Sequence, residues 1–397
     1  MQKLRFDYRD VFAASRLGFS LQRMWIQLVG LIVGYGGYLV FTYLSYVLSG
    51  QGLAETWSKY GLIICPVMSA ETLPLYSWLV FAVGVFFLLV AHLVTSTAVS
   101  RAAYMVMKGN NFYTWRESFA FSFRKILSII ATPVAIVALI GLFVLGSLVV
   151  GLMGKIPFVG EIGVSLFSVI WFVAAMLIVF FAVILGVTLV LTPAILATTD
   201  EDAFEAIFQT FSTVWSQPWR LVFYELINIA LAVVAVGIFA IVVKQSLVLM
   251  NGLFSQFMGA KFINMANNGQ YYVQSWTLLA DDYISAIYSR FSTYMFFQNE
   301  FQIIPKLAMT VQISAVIYAL SLLFIGGWVV SYGLSSLSVG HTIAYVVIRN
   351  KKDKENLLER TDKEEETEDD EEGESEKPED DSSPVEEDNE EASENDS

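Results

Sequence analysis

The chain has 397 residues, of which 55% are hydrophobic and only 16% charged. A soluble domain carries about 25% charged residues, so this composition excludes a soluble globular protein and is typical of an integral membrane protein. The net charge of −14 describes one end of the chain, because more than half of the 38 acidic residues lie within 361–397. We therefore expect the lipid bilayer, and no nucleic acid, as the main partner.

Six apolar runs are long enough to cross a bilayer, since a spanning helix needs about 20 mostly apolar residues. Five of them are free of charge, and the other contains Glu225 near one end and Lys244 near the other. The predicted spans are residues 24–48, 75–99, 126–153, 162–197, 219–249 and 308–334. The predicted fold is thus all-α: a polytopic bundle of about six transmembrane helices within residues 1–350.

The first span follows a polar N-terminal segment, so no cleavable signal peptide is apparent and the span is expected to serve as its own insertion signal. Gly30, Gly34 and Gly37 form one small-residue face of this span. Such a face lets two helices approach closely. We expect it to pack against another helix, either inside the bundle or between two copies of the chain.

Proline interrupts the third and fourth spans, at Pro133 and Pro193. Inside a helix proline removes the backbone hydrogen bond to the carbonyl four residues earlier, which predicts a kink in each span. Kinked helices suit transporters but are common in membrane bundles, so they do not decide the function.

The stretch 202–217, between the fourth and fifth spans, has the periodicity of an amphipathic helix that Pro218 ends. We expect a short helix in the cytoplasmic interface, with its aromatic face in lipid or against the bundle. The predicted interfacial anchors are Phe204, Phe208, Phe211, Trp215, Trp219 and Arg220.

The sequence pattern at the start of this helix recurs at two other places in the chain. An acid followed two residues later by phenylalanine occurs at Asp202, Asp10 and Glu117, each time before a span that runs outward. This pattern predicts an internal repeat of three units, each with an interfacial helix, an outward span, an outer loop and a returning span.

Polar residues inside the spans are the candidate functional residues. Glu225 lies inside the fifth span, and Asn228, three residues on, shares its helical face. A structural interpretation pairs Glu225 with Arg220 or with the basic end of the third span, Arg124 and Lys125. A functional interpretation makes it a proton-handling or substrate-handling carboxylate. The candidate intramembrane polar site comprises Glu225, Asn228, His92 and Gln312.

Residues for catalysis or metal binding are scarce. The only histidines, His92 and His341, could meet in the fold, but two histidines without a carboxylate on a neighbouring turn make a poor metal site. The single cysteine, Cys65, cannot form a disulfide within the chain. No phosphate loop, dinucleotide fingerprint or hydrolase motif is present. We therefore predict no catalytic residue, metal or cofactor, and a protein that is not an enzyme.

Lysine and arginine concentrate on one side of the predicted spans. By the positive-inside rule we expect both termini to face the cytoplasm. We expect the membrane to be a cell inner membrane. Residues 250–307 then form an outer loop, for which we expect short helices at the outer leaflet or capping the bundle. Residues 351–397 are rich in like charge and poor in aromatics, which predicts a disordered acidic cytoplasmic tail.

The segment 156–225 carries a resemblance. With Ile156-Pro157-Phe158-Val159-Gly160 at its start and Pro218-Trp219-Arg220 near its end, it resembles a group of uncharacterised bacterial polytopic membrane proteins. It is also loosely similar to the six-span membrane domain that precedes some glycerophosphodiester phosphodiesterases. The resemblance implies the six-span topology. It implies no reaction, because an acidic tail follows the last span in place of a phosphodiesterase catalytic domain.

These features favour a non-enzymatic accessory, scaffold or assembly component. Its interfacial helices and tail would be available to a protein partner, and its oligomeric state is open. The alternative is a small-solute or lipid permease with a path near Glu225 and Asn228, and a membrane enzyme ranks third. A permease requires polar residues from several spans to converge within the membrane, and few spans offer any.

Overall fold

The computed structural model describes residues 4–68, 73–277 and 308–360. Over these residues the chain forms α-helices and short 3-10 turns, with no strand. The helices are α1 (Ala13–Gly18), α2 (Leu21–Leu48), α3 (Leu53–Tyr60), α4 (Leu75–Lys108), α5 (Trp115–Arg124), α6 (Ile126–Met153), α7 (Val159–Leu166), α8 (Ser168–Thr199), α9 (Ala203–Ser216), α10 (Pro218–Met258), α11 (Ala260–Trp276) and α12 (Met309–Asp353). The 3-10 turns are Tyr8–Phe12, Pro66–Met68 and Leu357–Glu359. The predicted all-α fold is confirmed for this part of the chain.

Six of these helices, α2, α4, α6, α8, α10 and α12, are long and apolar enough to cross a membrane. Each contains most of one predicted span, but α4, α10 and α12 are much longer, with 34, 41 and 45 residues. Each predicted span ends where polar residues begin. The helices α4 and α12 continue because many of these polar side chains are buried against neighbouring helices, where they are not penalised as they would be in lipid.

Three of the long helices pack against one another at one end of the bundle, which we call the inner end. There residues 93–105 of α4, 191–199 of α8 and 342–348 of α12 are all buried. The short helices surround this centre: α5 packs on α4, α9 on α8, and α1 on α12. The helices α5 and α9 each pack on the long helix that precedes them in the chain. The helix α1, which has no long helix before it, packs on α12.

The short inner segments begin with hydrogen-bonded caps. Asp7 and Asp10 form a capping box at the turn before α1, and Thr114 and Glu117 form one at α5. The carboxylate of Asp202 caps α9. Each such cap stabilises the first turn of a helix by about 1 kcal/mol, so local sequence fixes where these segments start.

The α2 and α4 helices are in contact along most of their length, through the predicted small-residue face. A side chain added at Gly30 would meet Thr95 at 2.3 Å, and one added at Gly37 would meet Phe87 at 2.2 Å. At Gly34 the nearest atom is the Ala91 Cβ, at 2.9 Å. The glycine face therefore makes a helix contact inside the bundle.

The outer parts of α6 and α8 differ from the α2–α4 pair, because they contain no buried residue. No residue between 137 and 183 is buried, whereas both helices bury residues near their inner ends. A side chain added at Gly141 or Gly146 would meet nothing within 4 Å. This hairpin is therefore joined to the bundle at its inner end.

The segment expected as an outer loop is partly helical. The helix α10 continues through its first residues to Met258, and α11 then turns back to pack on α10 and α12. Gly269 of α11 faces Tyr318 of α12, with 2.7 Å between an added Cβ and the ring. The rest of the expected loop, 278–307, lies outside the described residues.

The C-terminal boundary also differs from the prediction. Residues 351–359 are not part of a tail, because α12 continues to Asp353 and the turn that follows is packed on the bundle. Leu357 and Leu358 are buried there, and the Tyr104 hydroxyl donates to the Leu357 carbonyl at 2.6 Å. Charged residues surround this apolar pair in the sequence, so composition does not distinguish it from the tail. The predicted disorder of 361–397 falls outside the described residues.

Candidate functional site

A cluster of polar side chains lies in the inner half of the bundle, between α2, α4, α8, α10 and α12. Its centre is a contact between α10 and α12, where His341 Nδ1 lies 2.7 Å from Glu225 Oε2. Glu225 is seven residues from the start of α10, which places it roughly 10 Å along the helix. The contact is an ion pair when the imidazole is protonated.

Asn228 lies one helical turn beyond Glu225 and is completely buried. Its Nδ2 donates to the Leu337 carbonyl at 3.1 Å and lies 3.2 Å from His341 Nδ1. An ionised carboxylate only accepts hydrogen bonds, so the 2.7 Å contact assigns a proton to Nδ1, which donates to Glu225. In neutral His341, Nε2 is then the atom that can accept a proton.

A glycine makes room for this arrangement. A Cβ added at Gly340 would lie 1.8 Å from Asn228 Oδ1, far inside any allowed contact. The absence of a side chain at this position lets α10 and α12 approach closely enough for Asn228 to reach the backbone of α12.

Two buried oxygen atoms of the cluster accept no hydrogen bond from a described residue: Glu225 Oε1 and Asn228 Oδ1. A buried acceptor without a donor costs about 1–3 kcal/mol. The cluster is therefore not optimised for stability alone, and its acceptors are suited to a donor that enters the site.

A cavity of about 110 Å³ adjoins the cluster, between α4, α8 and α12. His92 and His341 both line it, so the two histidines of the chain share one space. Its other polar lining residues are Ser96, Ser100 and Ser338. The serines are buried and His92 is exposed, which places His92 at the mouth of the cavity.

The cavity lies at the level where α8 separates from the rest of the bundle. Leu189 and Pro193 line it, and no residue of α8 before Ile184 is buried. Pro193 has no N–H, so the backbone hydrogen bond from residue 193 to the Leu189 carbonyl is missing beside the cavity. The predicted proline of the fourth span is thus part of the site.

The α2 helix extends the polar network through Gln27. Its Nε2 donates to Ser338 Oγ at 3.0 Å, and its Oε1 accepts from Thr95 Oγ1 at 3.3 Å. Both Gln27 and Thr95 are buried. The close α2–α4 contact at Gly30 brings them together, and α12 is joined to the pair through Ser338.

The chemistry that this arrangement supports is proton and hydrogen-bond exchange. Two imidazoles and one carboxylate can donate or accept protons, and the serines and amides can bind a polar group. Among the described residues no group of three or more His, Cys, Asp or Glu is placed to hold a metal ion.

The structure brings together three of the four residues predicted for the intramembrane site. Gln312 is not among them, because it is exposed near the outer end of α12. The expected partners of Glu225 are also different: Arg220 donates to Gln217 Oε1 at 2.9 Å, and Lys125 pairs with Asp200 at 2.7 Å. The side chain of Glu225 faces α12 instead.

Sequence reasoning missed Gln27, Ser96, Ser100 and Ser338. A signal was present at the end of the second predicted span and just beyond it, where His92, Ser96 and Ser100 recur every four residues and so share one helical face. Single serines are common in apolar helices, and only this spacing distinguishes the set.

The predicted interfacial helix, α9, presents its aromatic face outward. Phe204 and Trp215 are 76% and 80% exposed, whereas Gln209 is buried. Gln209 accepts from Lys352 of α12 at 3.1 Å and also from Arg349, and Lys352 donates to Ser212 at 2.9 Å. The polar face of this helix therefore binds the inner end of α12. The other predicted anchors, Phe208 and Trp219, are exposed as well, and Phe211 contacts Phe180 and Phe181.

The fold and the site together define a helical bundle with six apolar helices, compatible with a multi-pass membrane protein. No protein family, curated protein or solved structure matches the chain.

Proposed function

We propose that this chain is a small-solute or lipid permease whose path passes the cluster around Glu225, Asn228, His341 and His92. The observation that carries the proposal is one cavity in the inner half of the bundle that polar side chains of α4 and α12 line, with Glu225 of α10 and Gln27 of α2 bonded to its lining residues His341 and Ser338. Convergence of this kind distinguishes a permease from a scaffold, and it reverses the order of preference that the sequence alone favours.

The energetics support this choice. Ionisable side chains inside a membrane are costly and usually face a partner or a water-filled path. A scaffold that only joins helices has no use for a carboxylate in contact with one imidazole and a second imidazole in the same cavity, since small and apolar residues pack helices as well. Function is the simplest reason for keeping Glu225 beside His341.

The place of the cavity supports entry from the membrane. Its mouth, at His92, lies where α8 diverges from α4 and α12, so a molecule can approach between these helices. A lipid could place its headgroup against the serines and histidines while its chains remain beside the apolar outer part of α8.

We further propose that the inner end of the bundle faces the cytoplasm of a cell with an inner membrane. The segments around α1, α5 and α9 and the end of α12 carry most of the lysines and arginines of the chain. Both termini would then be cytoplasmic, and any protein partner there would meet α9 or the acidic tail.

The internal repeat is part of the same proposal, with an adjusted alignment. The acids at Asp10 and Glu117 occupy the third position after their caps, which at α9 is the position of Glu205 rather than Asp202. In this alignment the next residue is fully buried in all three segments. These residues are Val11, Ser118 and Ala206.

A second candidate function, an accessory or scaffold protein, is favoured by one observation. The outer parts of α6 and α8 present a continuous apolar surface, on which Leu145 and Phe172 are 62% and 64% exposed. Another membrane protein could pack there, although lipid would satisfy the same surface.

Purification of the full chain in mild detergent, followed by native mass spectrometry, tests the first proposal. We expect a bound lipid or small solute on the wild type, and at least a tenfold loss of that occupancy in Glu225→Gln. The matched control is Glu161→Gln, which changes an exposed glutamate of α7 far from the cluster. A stoichiometric protein partner without a bound small molecule would favour the scaffold.

Movement of lipid is tested separately in proteoliposomes. Fluorescent phosphatidylcholine and phosphatidylglycerol would be placed in both leaflets and reduced from outside with dithionite. For lipid transport we expect full loss of fluorescence with the wild type and Glu161→Gln, and loss of only the outer half with Glu225→Gln. Equal rates for all three proteins would exclude a lipid path through the cluster.

A further inference from the structure

Three polar atoms of the cavity beside the histidine cluster have no short hydrogen bond to the described residues. Ser96 Oγ is buried and has no partner among them. Ser100 Oγ has only a long contact, of 3.5 Å, with the Ser338 carbonyl. The ring of His341 makes its contacts through Nδ1, so its Nε2 is not bonded to a described residue. All three side chains line the same cavity of about 110 Å³.

These three atoms can all accept a hydrogen bond. Because Nδ1 of His341 carries the ring proton, Nε2 of the neutral imidazole has a free lone pair. The oxygens of Ser96 and Ser100 each have two lone pairs. The remaining hydroxyl of the cavity, Ser338, is already bonded, since it donates to the Leu334 carbonyl and accepts from the side chain of α2. A ligand group with three donors therefore matches the cavity.

The charge beside the cavity favours a cation. Glu225 contacts the His341 ring, and no lysine or arginine that the structure describes bonds to this carboxylate. The titratable groups facing His341 are Glu225 of α10 and His92 of α4, whereas α8 contains none and Arg23 of α2 bonds to the Leu17 carbonyl. With a neutral imidazole the pair has a single negative charge. Such a charge is costly inside a membrane, so a monovalent cation stabilises it.

The rest of the cavity wall is apolar. Leu189, Val190 and Pro193 of α8 and Leu334 and Leu337 of α12 form it. These side chains suit the carbon atoms that carry a charged nitrogen. A primary ammonium combines one positive charge with three N–H donors. A quaternary ammonium has the same charge but no N–H, so it leaves the three acceptors without partners.

We propose that this cavity binds the primary ammonium group of its ligand, with Ser96 Oγ, Ser100 Oγ and His341 Nε2 as acceptors and Glu225 as the counter-charge behind the imidazole. The ammonium belongs either to the headgroup of an aminophospholipid or to a free small amine. The inference rests on the proposed path and names the chemistry that it prefers. Other headgroups bind more weakly and still use the path. A proton on His341 Nε2 takes the place of the ammonium, so the site holds one of the two cations at a time.

The test measures binding to the full chain in detergent by isothermal titration calorimetry, at one fixed pH and without ammonium salts. The probes are short-chain phosphatidylethanolamine, phosphatidylcholine and phosphatidylglycerol. The first two have the same phosphate and the same net charge, and differ in that methyl groups replace the N–H groups of the ammonium. Free ethanolamine is the competitor.

We expect phosphatidylethanolamine to bind the wild type about tenfold more tightly than phosphatidylcholine, which corresponds to about 1.4 kcal/mol. Ser96→Ala removes an acceptor that no described residue uses, so phosphatidylethanolamine should bind about tenfold more weakly at unchanged thermal stability. The affinity for phosphatidylcholine should not change in this variant. The matched control is Ser321→Ala, whose hydroxyl bonds to its own helix away from the cavity, and it should bind like the wild type. Glu225→Gln should lose phosphatidylethanolamine, as the path also requires.

Equal affinity of the three lipids for the wild type would overturn the ammonium assignment, and so would equal phosphatidylethanolamine affinity of Ser96→Ala and Ser321→Ala. Absence of binding by every probe would overturn it as well. Competition by ethanolamine would assign the site to a soluble amine, and no competition would assign it to the lipid.

The path and the ammonium site fail in different ways. Equal binding of the three lipids, with loss of all three in Glu225→Gln, would remove the ammonium preference and leave the path. Selective binding of phosphatidylethanolamine without movement of lipid or amine in proteoliposomes would leave the ammonium site and remove the permease.

Discussion

The two hairpins α2–α4 and α6–α8 occupy equivalent places in the chain but are packed in opposite ways. The first is in contact along its length through Gly30, Gly34 and Gly37, each of which faces a side chain of α4. The second also contains glycines, but no side chain or backbone of another element lies near Gly141 or Gly146. A glycine in an apolar helix therefore permits a close contact without producing one.

The inner and outer halves of the bundle also differ in how tightly they are packed. At the inner end one apolar cluster joins all the long helices, whereas the described residues of the outer half form two separate small clusters, around Tyr46 and around Val273. The inner half is thus packed around a single apolar centre. The outer half can adapt to lipid or to a partner, and the candidate cavity lies at the boundary between the two.

The largest effect is expected from a side chain placed in the close α2–α4 contact. Gly30→Leu would force Thr95 and α4 away, and we expect it to lower the free energy of unfolding by about 3 kcal/mol. Gly146→Leu is the control, with no neighbour to displace. Unfolding in mixed micelles measures both, and an equal cost for the two variants would contradict the contrast between the hairpins.

A smaller effect is expected at the contact between α10 and α12. Gly340→Ala would displace Asn228, and we expect a loss of about 2 kcal/mol. The control is Gly326→Ala on the same helix, where an added Cβ meets nothing within 4 Å. The same micelle titration applies, and a neutral Gly340→Ala would mean that Asn228 can leave its site freely.

Removing one methyl group tests how tightly each half of α8 is packed. Ile195 is fully buried at the inner end and Ile170 is 56% exposed at the outer end. Ile195→Val should cost about 1 kcal/mol, and Ile170→Val should change the free energy of unfolding by much less. Comparable losses would show that the outer part of α8 is packed after all.

The smallest effect is expected from a single hydrogen bond between helices. The Ser335 hydroxyl donates to the Gly18 carbonyl of α1 at 2.9 Å, whereas the Ser321 hydroxyl bonds only to its own helix. Ser335→Ala should cost about 0.6 kcal/mol, the average for such bonds in membrane proteins. Ser321→Ala should be neutral within error in the same measurement, and a larger loss than for Ser335→Ala would contradict this assignment.

The sequence located the spans well because their signal is local. The predicted third span, 126–153, has the same bounds as α6, since both of its ends coincide with a change from apolar to polar residues. The predicted ends of α4 and α12 come too early, because Arg101 of α4 and Ser335, Ser336 and Ser338 of α12 are polar yet buried. Apolar runs cannot reveal helical residues whose polarity is satisfied by other helices.

The candidate site was predictable in part. Glu225, Asn228 and His92 stood out because polar residues are rare in spans, and Gln312 stood out for the same reason although it lies elsewhere. That Glu225 bonds to His341 rather than to Arg220 depends on how α10 rotates against α12. A local sequence pattern does not specify how one helix is rotated against another.

The sequence by itself determined an all-α chain with six apolar helices, since length and hydropathy leave no other way to satisfy the backbone in lipid. It also determined the small-residue face of α2. Only the tertiary structure decided which residues meet, because the contact of Glu225 with His341 joins positions 116 residues apart in the chain. The space that Gly340 leaves for Asn228 exists only when α10 and α12 pack together, so the sequence of either helix alone does not show it.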